Sequence, residues 1–206
     1  MTRTSPIIIG VTGASGSILA LRLVECLLNL DQPVSLILTN KALPVIFEET
    51  GLKLPAPEAE RVSAILDFLK LPAEKASLLK LFDNKQLGAP PASGTHATLG
   101  MVVIPCSMGT LGKIANGISD NLVARSADVT LKEGRKLVLV PRESPFNGIH
   151  LRNMSTLSQC GAVIIPPVLT FYLSDFQSLE GQIAYTVGKV LSQFGFSHTL
   201  HRPWGE

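Results

Sequence analysis

The sequence predicts a Rossmann-like, doubly wound α/β fold: a mostly parallel sheet of about six strands between two layers of helices. Three observations predict it. Short runs rich in β-branched and aliphatic residues recur along the chain with helical patterns between them, the rhythm of βαβ crossovers. The runs are apolar almost throughout instead of alternating, as strands covered on both faces must be. Glycine- and hydroxyl-rich junctions follow the first and fourth runs, where parallel strands present ligands at their carboxyl ends.

The six runs span residues 7–12, 34–39, 78–82, 101–105, 137–141 and 162–166. After the first, residues 17–30 form an amphipathic helix with Ile18, Leu21, Val24, Leu27 and Leu28 on one side and Arg22, Glu25 and Asn29 on the other. A second helix begins near Lys41. Residues 52–76 and 84–98 interrupt the alternation; the first holds a helix over 58–71 and the second carries Pro90-Pro91-Ala-Ser-Gly, so both read as excursions from one domain. The last helix repeats Leu179, Ile183, Val187, Val190, Leu191 and Phe194 at helical spacing before Gly195 stops it.

At 206 residues the chain supports one core, and no composition break divides it, so residues 1–206 are expected to form a single domain. Charged residues make up 17% of the chain, against a usual value of about 25%. With 46% hydrophobic residues and a mean hydropathy of +0.32, part of the apolar surface is expected to meet other subunits. The charge of +2, the absence of a Lys/Arg block and the 5% aromatic content exclude a nucleic-acid face and a membrane-surface helix. Cys26, Cys106 and Cys160 have no disulfide or zinc spacing, and the apolar stretch near Ile164 is broken by Pro166-Pro167. A cytoplasmic protein is expected. The four histidines share no ligand spacing, so no metal is expected.

Gly10-Val-Thr-Gly13-Ala14-Ser15-Gly16 joins the first strand to the first helix, where unpaired N–H groups and the helix dipole receive a phosphate. A tight turn would need the glycines equally, but Ser15 adds a hydroxyl a plain turn does not use. The spacing is neither the dinucleotide fingerprint nor a Walker loop. The second strand ends in Thr39-Asn40 and not in the acid that holds a ribose diol, which argues against NAD; Thr39 either donates to a ligand or caps the following helix. Ser107, Met108, Gly109 and Thr110 form a second ligand-side junction, with Cys106 readable as a small buried hydrophobe. Arg142 and Glu143 place a cation and a carboxylate at the end of the fifth strand, as a phosphate ligand and proton carrier or as a surface ion pair. Arg125 and Lys132 are seven apart on one helix and share a face. By pattern alone Glu49, Tyr172 and Lys189 read as a solvated acid, a partly buried tyrosine and a solvent-facing lysine.

Taken in order, GVTGASG at 10–16, Thr39-Asn40, PPASG at 90–94, PCSMGTL at 105–111, DNLVARSADVTLKE at 120–133, LVLVPRESPF at 137–146, GAVIIPP at 161–167 and the tail Arg202-Pro203-Trp204-Gly205-Glu206 resemble the UbiX-type flavin prenyltransferases. The resemblance runs nearly the whole length of the chain. It implies an enzyme that attaches a dimethylallyl unit, from dimethylallyl phosphate or diphosphate, to N5 and C6 of reduced FMN without a metal. The prenylated FMN then passes to UbiD-type decarboxylases, commonly in ubiquinone biosynthesis or aromatic acid breakdown. A homododecamer with sites at subunit junctions is implied too.

Carried over by position, the resemblance implies FMN contacts at Gly13, Ala14, Ser15, Thr39, Ser107, Met108, Gly109, Thr110 and Arg142. It implies that Glu49, Arg125, Lys132, Tyr172 and Lys189 surround the prenyl phosphate, with Arg125 offered by a neighbour. Ser15, Glu49 and Glu143 become the implied catalytic residues. Two departures stand out: Lys189 falls where relatives commonly carry Arg, and the stretch from Tyr172 to Gln177 is one residue longer than the usual segment. The competing readings are an FMN-dependent cysteine decarboxylase of the same superfamily and a non-catalytic flavin carrier.

Overall fold

The computed structural model describes residues 5–172 and 177–201. The Arg202–Glu206 tail and the interior of the Tyr172-to-Gln177 segment, both singled out above, lie outside the described residues. Six strands, β1 (Ile7–Val11), β2 (Val34–Leu38), β3 (Leu79–Asp83), β4 (Gly100–Cys106), β5 (Lys136–Pro141) and β6 (Val163–Ile164), form one sheet in the order β3-β2-β1-β4-β5-β6. Every pairing is parallel. The strand order reverses direction between β1 and β4, so the crevice for a ligand opens above their carboxyl ends.

Among the described residues seven α-helices accompany the strands: α1 (Ser17–Asn29), α2 (Ala42–Thr50), α3 (Glu58–Phe68), α4 (Met108–Ala115), α5 (Leu122–Lys132), α6 (Gly148–Gln159) and α7 (Leu179–Gln193). Successive side chains of a strand point to opposite faces, and β1 divides accordingly. Ile7, Ile9 and Val11 join Leu23, Val24 and Leu27 of α1 and Val187 and Val190 of α7 in one buried cluster. Ile8 joins Val123 and Ala127 of α5 and Leu157 of α6 in the other. Burying a side chain of this size contributes about 1.5–3 kcal/mol.

Four elements differ from the expectation, each for a local reason. Strand β6 is two residues long, because Pro166 and Pro167 have no N–H to continue the ladder. Helix α3 ends at Phe68 and not at 71; Lys70 takes a φ of 54° and Pro72 follows. Strand β3, at the sheet edge, spans Leu79–Asp83 and not 78–82, because Leu78 ends the tight helical turn Ala73–Leu78 that precedes it. Helix α6 was not anticipated. Its hydrophobic periodicity is weak, but Asn147 accepts from the N–H of His150 and the His150 ring accepts from the N–H of Asn147, a reciprocal cap that marks its start.

Candidate active site

The loop after β1 carries its two glycines for definite reasons. A Cβ on Gly13 would lie 2.6 Å from the Cβ of Lys41, and Gly16 takes a φ of 105° at the N-cap of α1. Glycine offers no capping oxygen, so α1 begins with its N–H groups uncapped from within. A carboxylate from α2 supplies the cap. Glu49 accepts from the N–H of Gly16 at 3.0 Å (Oε1) and 3.1 Å (Oε2), from the N–H of Ser17 at 2.8 Å, and from the Ser17 hydroxyl at 2.6 Å. The seat expected for a ligand phosphate is thus held by an internal anion. Partial burial alone would raise the Glu49 carboxyl, but the hydrogen bonds from Ser15, Ser17 and the two N–H groups outweigh it and hold the group below its ordinary range.

The second junction is tied to the first through Thr12, a residue that sequence reasoning passed over. Its hydroxyl donates to the carbonyl of Pro105 at 2.7 Å and accepts from the N–H of Ser107 at 2.8 Å, and its side chain is buried. Ser107 caps α4 by accepting from the N–H of Thr110 at 3.3 Å. That leaves the N–H groups of Met108 and Gly109, in the first turn, without intrahelical acceptors. Cys106 is fully buried, and burial pushes its thiol up to about 12, which removes it as a nucleophile.

On either side of these loops stand Thr39 and Arg142. The capping role weighed for Thr39 is not taken: its backbone carbonyl accepts from Ala42, while its hydroxyl is buried and meets no partner among the described residues. An orphaned buried hydroxyl of this kind is costly unless a ligand completes it. The N–H of Arg142 donates to the carbonyl of Cys106 at 3.3 Å, which fixes the end of β5 beside the end of β4. Among the described residues no ion pair engages Arg142 or Glu143, so the mutual surface pair considered for them does not form. Glu143 is exposed and accepts from the N–H of Ser144 at 3.0 Å. Gly13, Ala14, Ser15, Thr39, Glu49, Ser107, Met108, Gly109, Thr110, Arg142 and Glu143 therefore gather along one edge of the sheet.

The remaining candidates do not join them within one chain. Arg125 and Lys132 share a face of α5 but are separated by about 10 Å along its axis. Arg125 pairs with Asp128 at 2.7 Å, and Lys132 pairs with Glu133 at the far end of the helix, next to the start of β5. Lys189 is exposed on α7, about 15 Å along the axis from Leu179, whose side chain lines an apolar groove with Gly16 and Leu19. Tyr172 meets α7 through Tyr185, hydroxyl to hydroxyl at 3.1 Å, with the rings edge to face. That bond raises the Tyr172 phenol above its ordinary range. Tyr185 lies one turn before Lys189, so Tyr172 and Lys189 occupy one side of α7. No local spacing announces Tyr185; its contact arises from the chain folding back after β6.

Comparison with known proteins decides the family. The model of the flavoprotein family matches residues 1–190. The flavin prenyltransferase UbiX of Alkalihalophilus pseudofirmus is 45% identical over 198 residues, covering 96% of this chain and 95% of that protein. The chain belongs to the UbiX-type flavin prenyltransferases. Among solved structures of this type, AnUbiX in complex with FMN and dimethylallyl pyrophosphate superposes with a TM-score of 0.84 at 34% identity, covering 98% of both chains. A dodecameric FMN-dependent UbiX-like decarboxylase from Escherichia coli O157:H7 superposes with a TM-score of 0.84 at 36% identity, covering 98% of this chain and 100% of that one. The strand order and the two tied junctions are therefore those of a UbiX-type chain.

Proposed function

We propose that this chain transfers a dimethylallyl group from dimethylallyl phosphate or diphosphate to N5 and C6 of reduced FMN and releases prenylated FMN to a UbiD-type decarboxylase. One observation carries the flavin site: among the described residues, the buried hydroxyl of Thr39 without a partner shares an edge with the open N–H groups of α4 and the unpaired guanidinium of Arg142. Unmet donors of this kind along one edge suit an extended anionic ligand rich in acceptors. Because Glu49 fills the start of α1, the flavin belongs along this edge, reaching Thr39, Ser107 to Thr110 and Arg142, with Gly13, Ala14 and Ser15 between them.

Bound there, reduced FMN supplies the nucleophilic nitrogen and ring carbon that take the prenyl unit. The chain's own groups orient, neutralise and move protons. Ser15 and Glu49 form one hydrogen-bonded pair at the carboxyl edge and Glu143 a separate exposed carboxylate, which gives two proton acceptors, one on α2 and one in the loop after β5. Arg125, Lys132, Tyr172 and Lys189 hold the prenyl phosphate and stabilise it as it departs. Within a single chain Lys132 lies at the far end of α5 from this edge, so the reading requires junctions between copies. The exposure of Leu169, Phe171 and Leu179 (71%, 71% and 76%) supports such contacts, as does the dodecameric state of the Escherichia coli relative.

The chain is read as a single flavoprotein domain working in the cytoplasm. Free Cys26, Cys106 and Cys160 fit a reducing compartment, and among the described residues no helix is long and apolar enough to cross a membrane.

The deciding experiment is anaerobic incubation of the purified protein with reduced FMN and each dimethylallyl donor, followed by mass spectrometry of the released flavin. A mass gain of one five-carbon unit is expected with at least one donor. Unmodified FMN with both donors, from protein shown to bind flavin, would overturn the reading in favour of the decarboxylase or carrier.

A further inference from the structure

The grip on Glu49 is asymmetric, and Ser17 causes the asymmetry. Oε2 accepts from the N–H of Gly16, the N–H of Ser17 and the Ser17 hydroxyl, the last at 2.6 Å, whereas the N–H of Gly16 at 3.0 Å is the bond that reaches Oε1 from the backbone. Ser17 itself is 1% exposed and cannot turn its hydroxyl to water. A helix cap needs only the N–H groups; the added hydroxyl contributes a second donor from the same residue to the same oxygen. With Oε2 accepting three bonds, any turn of the carboxylate out of this plane loses them. Oε1 accepts from the N–H of Gly16, and the Ser15 hydroxyl adds a further hydrogen bond to the carboxylate.

We propose that Ser17 is a positioning residue for Glu49, fixing the plane of that carboxylate so that it meets the Ser15 hydroxyl as proton acceptor. The inference rests on the reading of Glu49 as part of the catalytic site. The charged and titratable groups on the two packed helices are accounted for otherwise. Arg22 of α1 pairs with Glu25 and with Glu180 of α7, at 2.5 Å and 2.8 Å. Cys26 is partly buried farther along α1, Glu48 is exposed, and Lys41 stands at the opposite end of α2. Hydrogen bonds to the carboxylate are what hold Glu49 low against its partial burial.

The sign follows. A hydrogen bond to the ionised form favours it, so Glu49 stays an acceptor to lower pH than an ordinary glutamate, and removing the Ser17 hydroxyl raises the pH at which it protonates. The experiment compares wild type, Ser17→Ala and Glu49→Gln. Carboxyl titration of the flavin-free protein, with glutamate labelled at Cδ and the Glu49 signal assigned through Glu49→Gln, is expected to show an upward shift of about one pH unit in Ser17→Ala. The acid limb of prenylation should move up by the same amount while the FMN dissociation constant stays unchanged. A lower melting temperature with an unmoved titration would make Ser17 a structural cap only and overturn the proposal. Unimpaired turnover in Glu49→Gln would instead overturn the catalytic reading of Glu49. The titration of Ser17→Ala tests the positioning role without any turnover, so the two failures are distinct.

Discussion

A lysine at position 189 offers a donor phosphate a compact charge where the family resemblance expects the flat fork of an arginine. Its place on α7, exposed and one turn beyond Tyr185, makes it free to meet a ligand brought against that face. If it does, its contribution is to binding, because a single exposed cation holds the phosphate both before and during departure. Lys189→Ala is therefore expected to raise the KM for the prenyl donor by about tenfold to a hundredfold, with kcat changed far less and FMN affinity intact. Lys189→Arg should retain a low KM and alter the ratio between the mono- and diphosphate donors. Steady-state kinetics with both donors checks this, and an unchanged KM in Lys189→Ala would return the residue to an ordinary surface lysine. Residue type and position were enough to single out Arg142 in the sequence, whereas Lys189 entered only through the family resemblance. They were not enough for Glu49, whose meaning depends on Ser17, thirty-two positions away in the chain.

At the scale of elements, the site is two strand-to-helix junctions held at a fixed separation, and the fastening is Thr12. Its hydroxyl is saturated, donating to Pro105 and accepting from Ser107, in a place closed to water. Thr12→Val keeps the shape but leaves the Ser107 N–H without its acceptor, while the Pro105 carbonyl retains the Thr12 N–H at 3.3 Å. A loss of about 1–3 kcal/mol in stability is expected, read from denaturant unfolding. Because Ser107 opens α4, the same variant should weaken FMN binding, measured by flavin fluorescence titration, while Thr12→Ser should restore both. Much of this layer was legible beforehand. Both junctions, the strands and the long helices announce themselves by glycine, hydroxyls and apolar periodicity, since those patterns are local. The two-residue β6 and the early end of α3 follow from prolines whose exact effect depends on the turn they enter. The Thr12 bridge spans 95 positions in sequence and has no local sign; nor does the orphaned hydroxyl of Thr39, which capping and ligand binding explain equally well until the helix is seen to start without it.

For the whole molecule, the direction of the helices decides what one chain can do alone. Helix α5 leads back from the carboxyl edge to the start of β5, so Lys132 at its end is carried away from Arg142, which stands past the other end of that strand. Strand β5 itself spans six residues, roughly 20 Å, which no lysine side chain bridges. If both residues serve one reaction, they come from different copies. Arg142→Ala and Lys132→Ala should each abolish or nearly abolish turnover as pure oligomers. Mixed oligomers, prepared by co-expressing the two variants with different affinity tags and purifying through both, are expected to recover activity. With equal, random mixing, a site built from two copies has an intact Arg142 in half of the cases and an intact neighbouring Lys132 in half of those. About a quarter of wild-type activity should then return. If the two residues instead acted within one chain, every site in the mixture would lack one of them and activity would stay at the level of the pure variants. Recovery would place the prenyl phosphate between subunits, and with it the reason that a chain of this size leaves so much apolar surface uncovered.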